Sequence, residues 1–327
     1  MEIKANIFRG DKVESRHSIY AVAVDEDGTV LWQVGDRHFP TCARSTLKPF
    51  QASAAVLAGA TEAAGFTAEE LALMCASHSG ENKHLQVAQS MMNKLGLTLE
   101  TYECGAHLPF HQATRWALIR AQQKPTPLHN NCSGKHAGML ALAKHLKAEF
   151  KGYTHPDHPV QQAIFQQVRK FAEVNTFTLG TDGCSAPVPF LPLVSIARMY
   201  QKLARGAHPE LKVLYKAMTT HPYLVGGTKR FDTDFMEVMA GEAVSKTGGE
   251  GVRGIGLRTS GGKTAGIAIK ILDGNQRCSP AVTLAVLKHL NLITENTLNA
   301  LRAYAHPILR NHRKIVVGRI EVEIDSA

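Results

Sequence analysis

The sequence predicts an α/β protein: a central antiparallel sheet assembled from both ends of the chain, flanking helices and a helical insertion. Three observations point this way. Strand-like runs gather near the two termini, the long middle is dominated by helical periodicity, and no Pro/Ser-rich linker, repeat or low-complexity tract divides the 327 residues. A single interdependent unit is expected, with residues about 1–45 and 250–327 forming the sheet and about 46–249 the mainly helical part.

The elements follow in order. Ile19 to Val24 and Thr29 to Val34 read as a hairpin turned around Asp27-Gly28. Thr67-Ala68-Glu69-Glu70 opens an acidic first turn before LALMCA, as helix starts prefer. His84 to Leu95 has apolar residues at helical intervals and stops at Gly96. Similar periodicity marks His136 to Phe150, Pro159 to Val174, Leu191 to Leu203 and Glu210 to Met218. It returns in Asp234 to Met239, Ala281 to Leu290 and Glu295 to Tyr304. GIGLRT (Gly254 to Thr259), SGGK and AGIAIKI (Ala265 to Ile271) form a second predicted hairpin, and Ile315 to Ile324 alternates like a final strand.

Composition narrows the function classes. The chain is 44% hydrophobic, which excludes extended disorder, and no apolar run approaches the roughly 18 residues of a membrane helix. The opening MEIKANIFRGDKVESRH is charged throughout and is not a secretory signal, so a soluble, cytoplasmic protein is expected. The formal net charge is +9, but Lys and Arg are scattered singly and in pairs. With no basic run and only 6% aromatics, nucleic acid is not the expected partner. The six cysteines are widely spaced and are read as free thiols. Cys75 lies in an apolar stretch. Cys132 and Cys184 stand instead in Gly-rich polar turns, where a small hydrophobe gains little from burial.

Four turns concentrate chemistry-bearing side chains. In CARSTLKPF, Ser45 and Lys48 are three residues apart, on one face if helical, and Pro49 requires the helix to begin near Ser45 or Thr46. A serine hydroxyl is a weak nucleophile and needs a neighbouring base; a lysine of depressed pKa supplies one. The same spacing also fits an N-cap serine followed by a surface lysine. CASHSGE puts Ser77, His78, Ser79 and Glu81 into one turn, which also reads as a capping turn. NNCSGKHAG joins Cys132, Lys135 and His136 at a helix start suited to anions. GTDGCSAP holds Asp182 and Cys184 in a loop that an Asx-turn would equally explain.

At these residues the chain resembles the Rhizobium-etli-type L-asparaginases, the asparaginase II or class 3 family, over nearly its whole length. The motifs CARSTLKPFQ, ASHSGE, HNNCSGKHAGML and GTDGCSAP carry the resemblance, with GGTKRFDTDFM, KTGGEGV and AGIAIKILDG. The resemblance implies a fold similar to serine β-lactamases, penicillin-binding proteins and serine-dependent glutaminases. It implies hydrolysis of L-asparagine through a serine acyl-enzyme and two Ser–Lys pairs. The first pair maps onto Ser45 and Lys48. The second joins Ser77 to a lysine before a late strand, placed at Lys263 with Lys246 as the alternative. Either serine is open as the nucleophile, with Ser45 preferred. A zinc ion is implied on Cys132, Cys184 and Lys135, with Asp182, His136 and Arg44 as substrate-binding residues and a homodimer as the assembly. Some members carry a further cysteine shortly after K-x-G-x-E-G-V; this chain has Arg253 and Gly254 there. Two alternatives remain open: another Ser-x-x-Lys hydrolase (a glutaminase or a penicillin-interacting peptidase), or a catalytically silent protein that binds a metal or an amino acid.

Overall fold

The computed structural model describes residues 1–259 and 261–325. Its strands are β1 (Ile3–Arg9), β2 (Lys12–Val24), β3 (Val30–Val34), β4 (Pro40–Cys42), β5 (Leu179–Thr181) and β6 (Pro187–Pro192). β7 (Ala243–Thr247), β8 (Val252–Arg258), β9 (Thr264–Ile271), β10 (Ile308–Arg310) and β11 (Val316–Ile324) follow. The main sheet runs β10-β11-β1-β2-β9-β8-β7, with β3 also on β2, and β4-β6-β5 form a small second sheet. Every pairing is antiparallel.

Both predicted hairpins and the final strand are present. The opening segment, read only as charged, is strand as well. Ile3, Ala5 and Ile7 alternate with Lys4, Asn6 and Phe8, and β1 lies between β11 and β2 with those three side chains in the core. The helices at 68–74, 82–95, 159–172, 209–220, 231–238 and 279–289 stand close to their predicted places. The first is fixed by a reciprocal cap: Glu70 N–H donates to Thr67 Oγ1 and Thr67 N–H to the Glu70 carboxylate. Gly96 ends the second at φ +67°. The predicted 136–150 helix runs over Ser133–His145, and 295–304 is broken at Leu301. The Leu191–Leu203 stretch divides, since Pro187–Pro192 is strand and the helix starts at Leu193.

That Leu193–Arg205 helix packs directly on the sheet. Glycines in β8 and β9 allow it: a Cβ on Gly256 would lie 2.3 Å from Tyr200 O, and one on Gly266 only 2.0 Å from Ala197 O. Tyr200 then reaches across, its hydroxyl donating to Thr46 O at 2.8 Å. The sheet-facing helix is thus bonded to the turn that holds Ser45. Among the described residues, no helix is long and apolar enough to cross a membrane.

Candidate active site

A cleft of about 560 Å³ opens where the ends of β4 and β7 meet the loops of the helical part. Ser45, Ser77, Asn131, Cys132, Asp182 and Cys184 are among its lining residues. Ser45 does not begin an α-helix, as its spacing suggested. It lies in a 3-10 turn, Arg44–Leu47, followed by the Lys48–Leu57 helix with Pro49 in its first turn. Arg44 enters this turn at φ +46°, left-handed for a non-glycine residue, and so throws Ser45 toward the cleft.

Ser77 is the meeting point of the two lysines. Lys48, fully buried, has its Nζ 3.0 Å from Ser77 Oγ and also donates to Ala76 O and, at 3.1 Å, to Asn131 O. From the opposite side Lys246 Nζ lies 2.8 Å from Ser77 Oγ and donates to Thr247 O at 2.7 Å. Burial, with Lys48, Arg230 and Arg253 nearby, pushes the Lys246 amine down to about 7 against the pull of Asp232. Asp232 is held ionised at about 2, since Arg253, Lys246, the Thr247 N–H and Ser245 overcome the cost of its burial. Arg253 Nη1 donates to its Oδ1 and Thr247 N–H to its Oδ2.

Lys263, the expected partner of Ser77, is elsewhere. Its side chain is 72% exposed and its Nζ faces Glu26 Oε1 at 3.3 Å. Strand register explains the difference. Lys246 is paired with Gly254 and Gly254 with Ala268, five residues along β9 from Lys263, roughly 17 Å of extended chain. Lys246 opens the K-x-G-x-E-G-V segment at the end of a short strand, a placement that marks it in the sequence without fixing its partner.

The two thiols come together, as the resemblance implied. Lys135 Nζ donates to Cys184 Sγ at 2.9 Å, and both cysteines are buried. A hydrogen bond from Cys132 holds the Cys184 thiol down at about 5, against burial, with Lys135 assisting; the same bond and burial push Cys132 up to about 12. Burial works against the charge of Lys135, but the two sulfurs and Asp182 hold its pKa above the usual lysine range. Cys132 and Lys135 thus both favour the ionised form of Cys184. Two sulfurs and an amine suit a thiophilic ion such as zinc once the protons leave. Among the described residues, no three His, Cys, Asp or Glu side chains gather as a metal cage. All six cysteines are free, as expected.

Of the residues expected at the substrate, two line the cleft and one does not. Arg44 Nε donates to Asp182 Oδ1 at 2.8 Å. Burial opposes ionisation of Asp182, yet Lys135, Arg44 and the Gly183 N–H hold its carboxyl below the usual range. His136 is fully buried behind Cys132 and is not among the lining residues. Its Nδ1 meets the Tyr153 hydroxyl at 2.6 Å, Nε2 is buried without a partner, and burial pushes its pKa down to about 3. His78, also unassigned by the sequence, ties the two turns together through Nε2 to Ser133 Oγ at 2.9 Å.

No curated protein sequence matches the chain. A family model described as L-asparaginase II matches residues 5–322. That span takes in the Ser77–Lys48–Lys246 contact, the thiol pair and all or most of every strand of the main sheet, and on it the chain belongs to the L-asparaginase II family.

Proposed function

We propose that this chain hydrolyses the side-chain amide of L-asparagine at the cleft between Ser45, Ser77 and Asp182, releasing L-aspartate and ammonia. L-Asparagine amidohydrolysis is the activity of the family to which it belongs. The observation that carries the site assignment is the row Lys48–Ser77–Lys246, in which one serine hydroxyl touches two buried amines.

The roles follow from the hydrogen bonds. The Lys48 amine faces two carbonyls and Ser77, three acceptors for the three N–H bonds of an ammonium. The amine pushed toward neutrality is Lys246. The row therefore carries one proton fewer than two ammonium groups would, and Lys246 takes the nucleophile's proton through Ser77 as Ser45 turns toward the row on substrate binding. Ser45 Oγ, which makes no hydrogen bond to the described residues, attacks the amide carbon. In its turn the Thr46 N–H already donates to Ala43 O and the Lys48 N–H to Ser45 O, which leaves the Ser45 N–H to meet the oxyanion. Ser77 returns the proton to the departing ammonia, and water hydrolyses the β-aspartyl ester. The Asp182 carboxylate, steadied by Arg44, takes the substrate's α-ammonium.

S-x-x-K at a helix start, a second serine and K-T-G at a strand end form the signature of serine β-lactamases and penicillin-binding proteins. Its order here, Ser45-x-x-Lys48, Ser77, Lys246-Thr247-Gly248, supports both that fold kinship and Ser45 as nucleophile. The donors Cys132, Cys184 and Lys135 fit zinc, which would supply Lewis-acid polarisation or fix the two turns. A second reading, Ser77 as nucleophile, is favoured by its direct contact with both lysines. Ammonia release from asparagine beside glutamine tests the activity. Mass spectrometry of the β-aspartyl adduct in Ser45→Ala and Ser77→Ala tests the nucleophile. An adduct on Ser77 that survives in Ser45→Ala selects the second reading.

A further inference from the structure

Four cations line the cleft: Arg44, Lys229, Arg230 and Arg253. Two are already matched. Arg44 is held by Asp182 and Arg253 by Asp232. Among the described residues, Lys229 and Arg230 have no carboxylate within ion-pair distance. They sit in GGTKRFDT, the stretch that also supplies Asp232; Lys229 is exposed and Arg230 partly buried.

We infer that Arg230 binds the α-carboxylate of the substrate and so makes the enzyme selective for free L-asparagine over derivatives blocked at that group. This rests on the amidohydrolase reading and adds the substrate's second anchor to it. The loop is built to hold the guanidinium in place. Thr228 N–H and Oγ1 donate to the two oxygens of Glu81 at 2.8 and 2.6 Å, and Gly227 N–H donates to Thr233 Oγ1 at 3.1 Å. Gly227 has φ +114°, where a Cβ would lie 2.5 Å from Glu81 Oε1, so glycine is required for this approach. Lys229 follows at φ +55° and turns the chain so that Arg230 enters the cleft. Arg230 Nη1 donates to Ser79 Oγ at 3.3 Å, and its guanidinium carbon stands 5.9 Å from the centre of the Phe110 ring. Ser79 is itself fixed, donating to Gly226 O at 3.0 Å. Its hydroxyl occupies one of the five N–H donors and leaves an edge free for bidentate capture of a carboxylate. Ser79 is two residues beyond Ser77, which places this anion site beside the reacting serines.

The test compares L-asparagine with its α-methyl ester, following ammonia release from the side-chain amide. At about pH 9, where the Lys246 amine is neutral with or without Arg230, Arg230→Gln should raise KM for L-asparagine about 10- to 100-fold with kcat within a few-fold. It should leave the ester's kcat/KM nearly unchanged, collapsing the preference for the free acid, and Arg230→Lys should restore part of it. Equal losses on both substrates, or an unchanged KM for asparagine, overturn the assignment. If the unaltered protein releases no ammonia from asparagine, the amidohydrolase reading fails by itself. The anion site is then read by calorimetry with L-aspartate and its α-methyl ester. Arg230→Gln must weaken the first alone; weakening of both, or of neither, again overturns it.

Discussion

Lys246 Nζ and Ser77 Oγ are 2.8 Å apart, joining the end of an edge strand to a turn 169 residues earlier in the chain. The contact makes Lys246, and not the exposed Lys263, the second amine of the site. Lys246→Met should therefore lower kcat by about 100-fold or more, the scale of a lost acid–base group, while Lys263→Met stays within about two-fold. Steady-state ammonia release by both variants decides it, and a large loss in Lys263→Met would refute the placement.

The same amine sets a pH dependence. Below about 7, Lys246 is an ammonium and the row has no place for the nucleophile's proton; above it the amine is free. Accordingly kcat/KM should rise with unit slope through about 7 and level off. Because the Asp232 charge holds the Lys246 pKa up, Asp232→Asn should move that limb to lower pH. A pH profile with no limb between about 6 and 8 argues against Lys246 as the acceptor.

Purified protein incubated with zinc and desalted should retain about one ion per chain by elemental analysis, since Cys132, Cys184 and Lys135 form one donor set. Cys184→Ala should abolish retention, whereas Cys278→Ala, a buried thiol that is not among the cleft's lining residues, should not change it. Zinc should also protect Cys132 and Cys184 from alkylation. Full alkylation in its presence would remove the metal assignment.

Stability offers an independent check on the packing beneath the site. Gly266→Ala would drive a methyl group against Ala197 O and is expected to cost about 2–4 kcal/mol in denaturant unfolding. Thr67→Ala, which removes only a helix cap, should cost about 1 kcal/mol. Equal costs would mean that the helix does not sit on β9 as closely as described.

Much of this arrangement was legible in the residues. Turn chemistry at Asp27-Gly28 and the apolar alternation of Ala265 to Ile271 announced their hairpins, because both signals are local. Ser45, Lys48, Ser77, Cys132, Asp182 and Cys184 were each marked by standing in polar turns. Three features escaped for physical reasons. The charges flanking the short alternation Ile3, Ala5, Ile7 in MEIKANIFRGDK masked a period-two strand. The partner of Ser77 depended on strand register, which one sequence does not reveal when two lysines precede neighbouring strands. His136 read as a cleft residue from its neighbours Cys132 and Lys135, but the helical turn carries its ring back toward Tyr153 and into the core.

The sheet's order has one more consequence. β1 is completed on one side by β11, with Ile3 opposite Ile324. A contact of that sequence separation is among the costliest a chain of this size can close, and folds dominated by such contacts are slow to form. During synthesis the first strand waits with one flank unpaired until β11, about 300 residues later, has emerged. The nascent protein therefore carries an open hydrogen-bonding edge, the feature through which incomplete sheets aggregate. Recovery of active enzyme should thus depend on how long that edge goes uncovered, and slower translation near the C-terminus should lower the yield.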